Sequence, residues 1–201
     1  QEALEEKGAE AYLLPTIQLT PNEEVKTELE TTLDSLPSYD WILFTSPNAV
    51  EFFFSALRQR GKDSRHLAPC QIGALGPMTA EALSSYGITA DFVPREYYAK
   101  VFAEEFIQRA RIAPVQRVLL PNSALAGDDL SELLSEAGIA CHRLPLYQNT
   151  PISYTASELK EALDSADYLT ACSSSAIHHL VSLLRVHQLG HLLKALPLAV
   201  L

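Results

Sequence analysis

Short apolar runs alternate along this chain with longer amphipathic stretches. "WILFT" (41–45), "CQIGAL" (70–75), "RVLLP" (117–121), "CHRLP" (141–145) and "YLTAC" (168–172) are apolar runs of strand length, rich in Val, Ile, Leu and aromatic residues. Such runs predict buried strands rather than one-sided ones. Between them, "NAVEFFFSALRQRG" (48–61), "TAEALSSYG" (79–87), "VFAEEFIQRARI" (101–112) and "DDLSELLSEAG" (128–138) carry apolar residues at helical spacing. Glycine closes three of these four helices, at Gly61, Gly87 and Gly138, as a left-handed helix stop does. Strands alternating with amphipathic helices predict an α/β protein with parallel sheets.

The pattern is written twice. "DWILFTSPNAVEFF" (40–53) lies over "DYLTACSSSAIHHL" (167–180), with Asp40 on Asp167, Trp41 on Tyr168, Ser46 on Ser173 and Ala49 on Ala176. Upstream, "GAEAYLLPTIQLTP" (8–21) lies over "GIACHRLPLYQNTP" (138–151), sharing glycine, leucine, proline, glutamine and a Thr-Pro pair. The period is far longer than that of a solenoid and fits two copies of one α/β unit. The second copy has a strand, "VLLPNSALAGDD", ahead of its helix, whereas the first begins inside its helix. The end, "LPLAVL", sits where "APCQIGALGPMTAEAL" sits in the first copy. The repeat thus predicts that an amino-terminal strand and a carboxyl-terminal stretch are missing from one unit.

Four polar turns follow predicted strand ends, where open α/β sheets bind ligands. In "FTSPNAV", Ser46 is placed as an N-cap and Pro47 at the first helical position, which leaves the amides of Asn48 and Ala49 pointing forward unpaired. "GPMTAEAL" repeats the device with Gly76 and Pro77, and Thr79 adds a hydroxyl. "LLPNSALAG" offers Asn122 and Ser123, and "CSSSAI" offers Ser173, Ser174 and Ser175. Each turn reads either as an ordinary cap or as an anion site. Tyr147 stands in the crossing segment "PLYQNTP" where the other copy has Ile17, and reads either as a ligand-facing phenol or as a packed linker residue.

The net charge of −10 makes the chain a poor partner for nucleic acid or an anionic membrane. Amide and hydroxyl recognition of anions needs little lysine or arginine, so an acidic chain still accommodates carboxylates locally. No apolar run reaches membrane-spanning length, and "QEALEEKGAE" is acidic and helical, unlike a signal peptide. Cys70, Cys141 and Cys172 are odd in number and lack Cys-x-x-Cys spacing, which predicts reduced thiols in a cytoplasmic protein. His187 and His191 stand four apart, but Gly190 lies between them and no carboxylate or cysteine completes a metal set. No dinucleotide, P-loop or Gly-x-Ser-x-Gly pattern is present. "EFFF" (51–54) reads as core.

Taken in order, "DWILFTSPNAVEFF", "IGALGPMTAEALSSYGITADFVP", "VLLPNSALAGDDLSELLSEAGIACHRLPLYQNTP" and "DYLTACSSSAIHHL" resemble the uroporphyrinogen-III synthase family over nearly the whole chain. The resemblance implies two similar parallel-sheet α/β domains joined by a two-stranded linker. Residues 1–15 plus 152–201 would form a discontinuous, incomplete domain, 22–144 the inserted one, and 16–21 and 145–151 the linkers. It implies a monomeric cytoplasmic enzyme that cyclises the linear tetrapyrrole hydroxymethylbilane, received by hand-over from hydroxymethylbilane synthase, without metal or other cofactor. The family's cleft tyrosine falls on Tyr147, as proton donor to the departing hydroxyl. Its substrate-binding hydroxyls and turn amides fall on Thr45, Ser46, Asn48, Gly76, Thr79, Asn122, Ser123 and Ser174. Many relatives carry a basic residue where this chain has Asn122. The alternative is a two-domain anion-binding or regulatory module without catalysis.

Overall fold

The structure, a computed structural model, describes residues 2–171, 174–194 and 196–200. In chain order the elements are α1 (Glu2–Glu5), β1 (Ile17–Pro21), α2 (Lys26–Asp34), β2 (Trp41–Phe44), α3 (Pro47–Gln59), β3 (Gln71–Ala74) and α4 (Pro77–Ser84). There follow α5 (Ala99–Ile112), β4 (Arg117–Ser123), α6 (Asp129–Glu136), β5 (Ala140–Pro151), α7 (Ala156–Asp164), β6 (Leu169–Ala171), α8 (Ser174–Val186) and β7 (Leu198–Val200). The chain divides into two compact units, residues 20–148 and residues 1–19 with 149–201. The mixed α/β class and the parallel pairing are those the alternating pattern predicts.

A five-stranded sheet runs in the order β1-β5-β4-β2-β3. β5, β4, β2 and β3 are mutually parallel, with Trp41 level with Gln71 on one side and Val118 on the other. Side chains alternate across this sheet, as strand geometry requires. Ile42 and Phe44 join a core with Phe53, Phe54 and Leu57 of α3 and Leu83 of α4. Trp41 and Leu43 join a second core with Phe102 and Phe106 of α5 and Leu130 and Leu134 of α6. β2 and β4 are therefore buried on both faces, which is why their runs read as continuously apolar. Asp40, the residue that opens the repeated stretch, accepts hydrogen bonds from the Gln116 and Arg117 amides at 2.7 and 2.9 Å and so ties the starts of β2 and β4 together.

The three predicted glycine stops sit at φ of +68° (Gly61), +75° (Gly87) and +81° (Gly138), a conformation a side chain would strain. α5 has no glycine and ends instead against Ala113–Pro114, since a proline cannot continue the helix and holds its predecessor extended. One boundary differs from expectation. The strand predicted over 141–145 and the linker predicted over 145–151 are one continuous strand, β5. Pro145 does not interrupt it: β4 continues alongside, and the Pro145 carbonyl accepts from the Asn22 side-chain amide at 3.0 Å.

In the other unit, β6 and β7 pair in parallel around α8, as β2 and β3 do around α3. Leu159, Leu163, Leu180 and Leu184 form its core, and Thr155 and Glu158 close a capping box on α7. α8 ends at Val186 and Gln188 turns left-handed at φ +60°, so His187 and His191 do not share a helical face. Among the described residues there is no cluster of metal-ligating side chains, and no helix is long and apolar enough to cross a membrane.

Burial pushes the Cys141 thiol up to about 11. It does the same at Cys70, with a smaller contribution from Asp40, and the Cys70 thiol donates to the Leu36 carbonyl at 3.2 Å. Only the thiolate is nucleophilic, and at pH 8 a thiol of that pKa is roughly one part in a thousand ionised. Site-resolved labelling of the native protein with iodoacetamide at pH 8 is therefore expected to leave both residues unmodified until denaturant is added. Rapid native labelling contradicts the burial of Cys70 and, at the half-buried Cys141, the raised pKa. Cys172 lies outside the described residues.

Candidate active site

The connections of the parallel sheet diverge at one place. From β2 the chain passes through α3, on one face, to β3 at the edge; from β4 it passes through α6, on the other face, to β5 in the opposite direction. The carboxyl ends of β2 and β4 thus flank a topological switch point, where loops leaving to opposite faces open a crevice. The residues at those ends are Thr45–Ser46 and Asn122–Ser123.

Ser46 is extended (φ −151°, ψ 153°) and caps α3: its Oγ accepts the Ala49 amide at 3.1 Å, with Pro47 at the first helical position. This corrects the expectation that both the Asn48 and Ala49 amides point forward unpaired. The serine that starts the helix consumes one of them itself, which leaves the start of α3 with less capacity for an anion. Asn48 is exposed.

The same Ser46 Oγ lies 3.1 Å from the Tyr147 hydroxyl, and either oxygen can donate. A serine hydroxyl has two lone pairs and one proton, so it serves the Ala49 amide and the phenol together. The Tyr147 ring is 6% exposed and stacks on Phe52 at 4.9 Å between centroids and 11° between planes. Ring and hydroxyl are thereby both fixed, the ring by Phe52 and the hydroxyl by Ser46. β4 holds the backbone: Ser123 is level with Tyr147 across a bulge at Asn122–Ser123, and the Ala124 amide donates to the Tyr147 carbonyl at 2.8 Å. Ser123 Oγ accepts the Leu125 amide at 3.2 Å and so caps its own turn.

Thr45, half-buried, directly follows β2, and Asn122 lies next to the last residue of the neighbouring β4. Asn122 is 2% exposed, and its carboxamide oxygen has no hydrogen-bond partner. One strand out, Gly76 caps α4 without a side chain, so the first-turn amides there, unlike Ala49, have no side-chain acceptor. A Cβ at Gly76 would stand 3.3 Å from Cγ of Tyr97, whose ring lies over this turn. The Thr79 side chain is buried rather than presented outward. α8 begins at Ser174, but the Ser174 side chain, Ser173 and Cys172 lie outside the described residues.

The structure therefore places Thr45 and Ser46 just after β2, Asn122 and Ser123 at the end of β4, Tyr147 within β5 level with Ser123, and Gly76 and Thr79 just after β3. Three further contributors are not singled out by the sequence. Phe52 sits in a run that reads as core; Phe53 and Phe54 are in that core with Tyr147, and Phe52, half-buried against the same cluster, stacks on the Tyr147 ring. Tyr97 is hidden in "REYYAK". Arg143 pairs with Asp128 and donates to the Ala126 carbonyl at 2.8 Å, which holds the loop after β4 in place. A surface hollow of about 520 Å³ lies between α2 and α3, lined by Leu29, Leu33, Ala56 and Arg60, and it shares none of the strand-end residues.

Residues 1–201 match the family described as uroporphyrinogen-III synthase HemD. A porphyrin biosynthesis protein HemD from Ruminiclostridium josui is 30% identical over 183 residues, which are 90% of this chain and 36% of that protein. A uroporphyrinogen-III synthase from Synechococcus elongatus is 29% identical over 145 residues, 71% of this chain and 52% of that one. The chain thus spans about a third to a half of the length of these curated relatives. The crystal structure of a mutant uroporphyrinogen III synthase from Thermus thermophilus superimposes with a TM-score of 0.59 at 20% identity, covering 99% of this chain and 77% of that one. The crystal structure of uroporphyrinogen-III synthetase from Helicobacter pylori gives 0.58 at 19% identity, covering 92% and 83%. At these identities the two structures speak for the shared α/β fold.

Proposed function

The chain belongs to the uroporphyrinogen-III synthase family, and from that premise we propose that it cyclises hydroxymethylbilane to uroporphyrinogen III, with inversion of ring D and loss of water. The observation that carries the reading is the Ser46–Tyr147 hydroxyl pair, held at the carboxyl edge of a parallel sheet beside its switch point. The reaction needs a proton for a poor leaving group and a surface that keeps the resulting cation folded for inversion. Tyr147 donates to the terminal hydroxyl, whose carbon–oxygen bond breaks with both electrons leaving on oxygen as water. The ring nitrogen supplies the electron pair that makes the azafulvene cation. Ring D attacks through its substituted carbon, the spiro intermediate fragments, and the inverted ring closes. The proton lost when that ring regains aromaticity restores Tyr147, so no net acid is consumed.

In this reading Ser46 orients the phenol, and the Met78 and Thr79 amides at the start of α4 receive substrate carboxylates, as do Thr45, Asn48, Ser123 and Ser174. Residues 22–144 form one domain and 1–15 with 152–201 the other, joined by 16–21 and 145–151. The enzyme acts as a cytoplasmic monomer. It takes its substrate by hand-over from hydroxymethylbilane synthase, because the free bilane closes unaided to the type I isomer. The test is to incubate the complete protein with enzymatically generated hydroxymethylbilane and to resolve type I from type III uroporphyrin after oxidation. Type III is expected to predominate; type I alone, formed at the rate seen without protein, overturns the proposal and leaves an anion-binding module.

A further inference from the structure

The backbone of Gly76 does not explain why it is a glycine. At φ −162° it is extended, a conformation that any residue adopts. A Cβ there, however, would stand 3.3 Å from Cγ and 3.4 Å from Cβ and Cδ1 of Tyr97. The missing side chain lets the tyrosine rest directly on the turn. The segment that carries Tyr97 is anchored. Phe92 bridges to Gly73 of β3, and its carbonyl accepts the Ala74 amide at 2.9 Å. Arg95 pairs with Glu105 of α5 at 3.4 Å. Held in this way, Tyr97 is still 56% exposed, so an aromatic ring is seated on the protein and left uncovered.

Its place is the carboxyl edge of the sheet, next to the hydroxyl pair. The Leu75 amide donates to the Phe44 carbonyl at 2.9 Å, so the turns at Gly76 and Ser46 leave adjacent strands side by side. Ser46 in turn meets the Tyr147 hydroxyl. The hydroxyls and amides of these turns suit carboxylates but offer nothing to the face of a pyrrole ring. The Tyr147 ring is buried, with Phe52 stacked on it. We propose that Tyr97 positions the substrate by stacking its exposed ring on a pyrrole of hydroxymethylbilane; this rests on the reading of the site as that of a uroporphyrinogen-III synthase. Aromatic rings prefer offset or edge-on contact, which an uncovered ring at the rim of a site accommodates. The stack is made with the bound substrate before the carbon–oxygen bond breaks and persists as it does. An interaction of that kind contributes to affinity rather than to turnover. Tyr98, also exposed, directly precedes α5 and provides an internal control.

The experiment uses Tyr97→Ala, Tyr97→Phe, Tyr97→Leu and Tyr98→Ala in the complete protein, read by KM, kcat and thermal midpoint. Tyr97→Ala is expected to raise KM about tenfold, the size of effect seen when a stacked heterocycle loses its aromatic partner, with kcat and midpoint close to those of the wild type. Tyr97→Phe keeps the ring and is expected at the wild-type KM. Tyr97→Leu keeps bulk on Gly76 without an aromatic face and is expected to raise KM as well, which preserves the test if the alanine variant folds poorly. Tyr98→Ala is expected to behave as the wild type. Wild-type KM in Tyr97→Ala or Tyr97→Leu overturns the proposal. So does a rise of KM in Tyr97→Phe equal to that in Tyr97→Ala, which makes the hydroxyl the recognising group. A fall in kcat and midpoint at unchanged KM overturns it too, as the mark of a structural role, and so does an equal rise of KM in Tyr98→Ala. The broader functional reading is judged separately, by whether the wild type makes type III product at all.

Discussion

Tyr147→Phe in the complete protein is expected to lower turnover to type III product by tens of fold and to raise the share of type I. The substitution keeps the ring, and with it the stack on Phe52 at 4.9 Å, and removes only the oxygen that faces Ser46. General acid assistance typically contributes about 10²–10⁴-fold. The pyrrole nitrogen already helps expel the hydroxyl, which puts the loss toward the low end. One protein hydrogen bond is lost as well, at a cost of about 1 kcal/mol, because Ser46 keeps its bond to the Ala49 amide. The expected signature is therefore a large fall in kcat with a small fall in thermal midpoint. Unaided closure is untouched, so its product gains share as the enzymatic route slows. Wild-type turnover and isomer ratio in Tyr147→Phe would show that the residue is structural, with the proton coming from a bound water or a substrate carboxyl.

The largest effect on stability is expected from Phe53→Ala. Phe53 is fully buried and packs edge-to-face on Phe44 of β2 at 5.4 Å and against Phe54 at 5.8 Å. It lies where α3 seats on the sheet, so the cavity left by truncation is walled by a strand and a helix that cannot both close in. Removing a buried phenylalanine costs about 3–5 kcal/mol, a large part of the roughly 5–15 kcal/mol that holds a folded protein together. Urea unfolding should show a lower midpoint with an unchanged slope. A shift below about 1 kcal/mol would mean that this face of the sheet is not tightly packed.

The internal repeat, the parallel α/β class, the strands, the glycine stops and the N-cap at Ser46 follow from rules acting within a few residues. A run buried on both faces lacks polar alternation wherever it sits. A glycine at φ +68° or a serine before a helical proline declares itself from its immediate neighbours. For that reason the strand-end turns are legible in the chain, and Tyr147 stands out against Ile17 in the other copy. What those turns do depends on neighbours far away in sequence. Ser46 and Tyr147 are 101 residues apart and meet only because β2 and β5 flank β4 in one parallel sheet. Phe52, at the margin of the core, becomes a platform for the Tyr147 ring only once β5 lies beside α3. Pro145 passes for a strand end in the sequence, yet β5 runs through it because its partners on both sides continue. The unpaired oxygen of Asn122 and the buried side chain of Thr79 have no local signature, since burial is set by what packs from other elements. Propensity and capping are short-range and written into the order of residues; strand order, burial and the pairing of distant hydroxyls are long-range and exist only after the chain has closed on itself.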